Sequence, residues 1–168
     1  MFGITNAQEF YAMLIEDFDE FMRNQQSARC AVHCAITAYH LHEWVWGDWL
    51  KNDQATKTKL GLTNQDSFLG WIDSNCPWYS SVQALTNGSK HFNRKMGFEA
   101  VHVKGSGQGP FGVGAFGAGY LIIDYGESAG EHRWLTAVQL LEIIVRFWRN
   151  FFKAYRPTTV PPSIHHVD

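Results

Sequence analysis

The chain has 168 residues, 45% hydrophobic and 15% aromatic, and a formal net charge of −2. So many apolar anchors exclude a disordered chain and fit one domain with a sizeable core, while the slightly acidic balance excludes a global field that would draw in nucleic acid. Three cysteines, Cys30, Cys34 and Cys76, are too few and odd in number for a disulfide framework. No apolar run is long enough to span a membrane and no signal-peptide pattern opens the chain, so a cytoplasmic protein with no membrane contact is expected.

The elements follow in chain order. "NAQE" places Glu9 three residues after Asn6, the spacing of a capping box that opens a first helix ending near Gln25. Phe10, Leu14, Phe18 and Phe21 recur along it at helical spacing. Ser27 is placed to cap a second helix running to about Lys51, apolar nearly all round and therefore central. "NDQATKTKLGLTNQ" reads as a polar connection, "DSFLGWID" as a short helix opened by Asn64 or Asp66, and "PWYSSVQALTNGSKHF" as a helix with Pro77 in its first turn.

From Gly97 the pattern changes. "FEAVHV" and "YLIIDY" read as strands, with a glycine-rich loop between them, and "EHRW" as a short third strand. "TAVQLLEIIVRFWRNFFKAY" is a strong helix capped by Thr136. The expected fold is mainly α (α+β): a bundle of four to five helices with a small antiparallel hairpin or three-stranded sheet inserted before the last helix. One domain covers residues 1–156, with the β insertion near 97–135, and the proline-bearing residues 157–168 form a flexible tail.

The second helix, "ARCAVHCAITAYHLHEWVWGDW", concentrates the chemistry. At about 100° per residue, Arg29, His33, Thr37, His40 and Trp44 fall on one stripe, and His42 points elsewhere. Neutral imidazoles bonded to neighbouring helices explain such a stripe structurally, because an unpaired buried polar group costs roughly 1–3 kcal/mol. The alternative is a site. If the end of the fourth helix approaches the stripe, Asn87, Lys90 and His91 converge on Arg29, His33 and His40. Arginine and lysine favour an anionic ligand, and histidine serves as acid or base near neutral pH. A metal is not expected: HExxH is absent, and His33 and His40 stand about 10 Å apart along the helix.

"ARCAVHCAITAYHLHEW" followed by "NGSKHF" resembles segments of uncharacterised bacterial and phage-borne helical proteins, and is similar to HEPN-type bundles. The ribonuclease members of that group carry an arginine, four to six residues, then a histidine, whereas Arg29 and His33 enclose three. The resemblance implies metal-independent RNA cleavage, with His33 in acid–base work and Arg29 steadying phosphate.

"GQGPFG" and "GVGAFG" satisfy GxGxxG but precede a strand, so no dinucleotide is expected, nor any other cofactor. Phe147, Trp148, Phe151, Phe152 and Tyr155 crowd the last helix and need cover from the sheet or from a second subunit, which suggests a homodimer. Arg146, Arg149, Lys153 and Arg156 form a basic stripe beside them. Three functions stand at this point: a bundle binding a small anionic ligand at the histidine face, a HEPN-like ribonuclease acting on RNA, or a nucleic-acid or interaction module using the last helix.

Overall fold

The computed structural model describes residues 3–90, 96–104, 109–110, 112–113 and 118–156, and the tail beyond residue 156 lies outside them. Helix α1 spans Ala7–Arg23, opened by Asn6, whose side chain accepts from the Gln8 and Glu9 amides. Glu9 does not close the box on Asn6. Its carboxylate accepts from the amide and hydroxyl of Thr5, one residue earlier. Helix α2 spans Ala28–Asp48 with Ser27 as cap, ending three residues short of Lys51, and a 3-10 turn over Leu50–Asn52 follows.

The stretch expected as a polar connection contains a helix, α3, over Gln54–Leu60. Asp53 caps it, and Gly61 ends it at φ +69, a left-handed conformation that suits glycine. No residue of α3 is buried, so it shows no apolar period. Helix α4 spans Gln65–Asn75 behind an Asn64–Ser67 capping box. Helix α5 spans Tyr79–Lys90. It starts beyond Pro77 because Trp78 takes a φ of +70, which no right-handed helix accommodates.

Strands β1 (Glu99–Val103), β2 (Tyr120–Asp124) and β3 (Trp134–Thr136) form an antiparallel sheet in that order. Val101 faces Ile122, and Ile123 faces Leu135. The third strand is not at "EHRW". Residues Glu127–His132 make 3-10 turns broken at Gly130, whose backbone is non-helical, and pairing begins only at Trp134. Helix α6, Ala137–Tyr155, follows directly, with Thr136 and Gln139 closing a capping box. The molecule is therefore mainly α with a small sheet before its last helix.

Helix α2 lies at the centre, packed by α1, α4, α5 and α6. Trp148 of α6 is fully buried and donates its indole N–H to the Ala38 carbonyl of α2 at 3.0 Å. Phe152 stacks on Tyr11 of α1 at 4.8 Å, and Phe147 and Phe151 pack against Trp71 of α4. Trp148, Phe151 and Phe152 are thus buried by helices of the same chain, while Phe147 and Tyr155 stay half-buried. The sheet lays Leu121, Ile123 and Leu135 against this core. Its other face carries a smaller cluster, Val103, Tyr120 and Ile122, with Val113 and Trp134.

Candidate functional site at the α1–α2 face

The histidine stripe runs along the seam between α1 and α2. Ring stacking of Phe10 on Trp44 at 4.7 Å and an Ala7 amide bond to Asp48 fix one end of the pairing. At the other end Arg29 is ion-paired with Glu20 of α1. Their side chains are 61% and 48% exposed, so the pair stands in water, where such contacts contribute little stability. The Cys30 thiol also reaches Glu20, at 3.5 Å. The Arg29 hydrogen bond, then the Cys30 contact, hold the Glu20 carboxyl below its usual range, and His33 adds to the same field. Glu20 in turn raises the Arg29 guanidinium.

His33 is exposed one turn further along α2. Thr37 is buried, and its hydroxyl lies between the Asp17 carboxylate of α1, at 2.6 Å, and the His33 carbonyl, at 3.1 Å. Thr37 therefore pairs the helices and has no surface to offer a ligand. His40 is half-exposed, with Nδ1 3.2 Å from a Glu43 carboxylate oxygen. The face that emerges combines Arg29, His33 and His40 with Glu20 and Glu43.

Helix α5 packs on another side of α2. The Tyr79 hydroxyl donates to the Tyr39 carbonyl at 3.0 Å, Gln83 donates to the Tyr39 hydroxyl at 2.9 Å, and Thr86 donates to the Ala35 carbonyl at 3.3 Å. Ala35, Tyr39 and His42 stand about 150° round the helix from the stripe, at about 100° per residue. Half-buried Asn87 follows Thr86 on α5. The Lys90 side chain and His91 lie outside the described residues. His42, the histidine off the stripe, is buried against α5, with Nδ1 2.5 Å from the Tyr39 carbonyl, and burial lowers its pKa.

Several cations outside the stripe have structural partners. Arg133 holds Asp124 through two hydrogen bonds, at 2.9 and 3.1 Å. Arg146 of α6 pairs with Glu142, and Arg156, just past α6, pairs with Asp48. All three cysteines are free and buried. Burial pushes Cys34 well above the ordinary thiol range and Cys76 up to about 12, which withholds the nucleophilic thiolate at both. Among the described residues no group of three His, Cys, Asp or Glu side chains is placed to hold a metal ion. No described helix is long and apolar enough to cross a membrane.

Glu20 is the partner that sequence reasoning missed. The acidic run "EDFDE" was visible, and Asp17 and Glu20 are three apart on one face of α1. Their register against α2 depends on the turn at Asn24–Ser27, which no helical period encodes. Set against known family models, characterised proteins and solved structures, the chain matches none.

Proposed function

We propose that the protein binds a small phosphate-bearing ligand on the exposed α1–α2 face, with Arg29 as the anion contact and His33 beside it. The supporting observation is the Arg29–Glu20 pair: a guanidinium oriented by a carboxylate yet standing in water. Exchange of that carboxylate for a phosphate keeps a charge-assisted hydrogen bond at little cost, and a guanidinium can offer phosphate a second one. Glu20 is then the internal competitor.

The test is titration of the full chain with inorganic phosphate and with adenosine 5′-monophosphate, followed by NMR at the α1–α2 amides. Arg29→Ala should abolish saturation. Glu20→Gln should tighten binding by about tenfold, the worth of losing one charged competitor. Equal affinity in wild type and Glu20→Gln would remove the competition mechanism.

RNA cleavage is the second reading. What favours it is the exposure of His33 one helical turn from Arg29, where an imidazole can exchange protons with a bound phosphodiester. Cleavage of RNA in EDTA that disappears in a folded His33→Ala protein supports it, and intact RNA after long incubation at high protein concentration excludes it.

A further inference from the structure

Away from the histidine face, the α1–α2 turn meets the start of β2 and the first turn of α6. A cleft of about 470 Å³ opens there, within the size range of small-molecule pockets. Its lining divides by chemistry. Met22, Leu121 and Val138 supply an apolar floor, while Arg23 and the side-chain amides of Gln25 and Gln26 stand at the turn. Among the described residues that line the cleft none is an aspartate or glutamate, and Arg23 carries their one formal charge. This contrasts with Arg29, whose charge Glu20 already answers.

Gly119 shapes the wall. A Cβ on it would lie 2.8 Å from the Gln26 side-chain oxygen and 3.0 Å from the Val103 carbonyl oxygen. The Gln26 side chain can swing aside, but the Val103 backbone cannot, so the close approach of the two chain segments favours glycine here. The N-terminus of α6 takes no part in the charge argument, because Thr136 and Gln139 satisfy each other there.

The geometry points to a site for a small amphiphile with one anionic head and a short apolar body. The head meets the Arg23 guanidinium and the turn amides; the body covers Met22, Leu121 and Val138. Such a ligand uses both halves of the lining, whereas an inorganic anion leaves the floor wet and a neutral alkane leaves Arg23 without a counter-charge.

The experiment uses octanoate as the probe, added to the full chain and followed by amide NMR. Saturable shifts are expected at Met22, Gly119 and Val138. Arg23→Gln should weaken octanoate binding by about tenfold, the loss of one charge-assisted hydrogen bond, and Arg23→Lys should largely restore it. Neutral octanol should bind wild type no better than octanoate binds Arg23→Gln. Arg23 is exposed, so these variants test binding and not folding. The proposal is overturned if octanoate does not saturate, if Arg23→Gln binds as well as wild type, or if the shifts gather at Val32 and Leu141, which line the separate apolar cleft of about 140 Å³ beneath the sheet. Arg29→Ala separates the two sites: it should leave octanoate binding unchanged while removing phosphate binding at the histidine face.

Discussion

His42 shows how one side chain can link pH to the fold. Its ring is buried against Tyr39 and Tyr79, and Nδ1–H donates to a carbonyl that also accepts the Tyr79 hydroxyl. Burial is the largest influence on its pKa and lowers it; the Tyr39 hydrogen bond and Glu43 oppose this, and His40 adds to it. The folded chain therefore keeps His42 neutral at a pH where the unfolded chain already binds the proton. Because the unfolded state gains that proton first, stability falls as pH drops below about 6.5, by at most about 1.4 kcal/mol per pH unit from this group. Carboxylates held low, such as Asp53 and Asp124, lose their contribution only at more acid pH. Urea unfolding at pH 7.5 and 5.5 should therefore show a smaller loss in His42→Gln than in wild type. Parallel losses in the two proteins would place the pH dependence elsewhere.

Among the elements, Asp48 fastens three at one point. A single carboxylate oxygen accepts from the Ala7 amide, the first residue of α1, at 3.2 Å, and from Arg156, just past α6, at 2.7 Å. A negative charge is favourable at a helix N-terminus, where the first amides lack intrahelical partners. Asp48→Ala should cost about 1–2 kcal/mol by denaturant midpoint at unchanged m-value, because it leaves both donors without that partner. Asp48→Asn should recover the smaller part of this. A loss confined to a few tenths would mean that water replaces the carboxylate at no penalty. The same scale explains what sequence could reveal. Helices α1, α2, α4, α5 and α6 were legible because caps such as Asn6, Ser27 and Thr136 precede apolar periods. Helix α3 was not, since its start at Asp53 and stop at Gly61 bracket a segment with no fully buried residue and only Leu60 packed against the core. The strand shift from "EHRW" to Trp134 has a comparable cause, glycine-governed turns at Gly126 and Gly130 that hydropathy does not register. The Arg29–His33 face could be read from spacing along one helix. Its acidic half could not, because Glu20 reaches Arg29 across a turn.

The whole molecule divides its stability unevenly between bundle and sheet. Every α-helix except α3 places buried residues in the main core, with Leu14, Leu41, Phe68, Ile72, Leu140 and Trp148 all fully buried, and α3 adds only half-buried Leu60. Among the described residues, the outer face of the sheet has Val103, Tyr120 and Ile122 as its buried apolar members. Strand β1 is the weakest part of this arrangement: four of its five residues are exposed, Val101 is 37% exposed, and its described pairing is to β2 alone. Buried apolar area sets the free energy at which a segment opens, at roughly 25 cal/mol per Å². Opening β1 exposes little new apolar surface, whereas freeing the α2 amides near Ala38 and Leu41 requires the bundle to come apart. Native-state hydrogen exchange should therefore find β1 amides exchanging through a sub-global opening, several kcal/mol below the global unfolding that limits mid-α2. Leu121 and Ile123 tie β2 to the main core, so β2 should fall between the two. Equal protection across β1 and α2, moving together with denaturant, would show that the sheet and the bundle unfold as one unit.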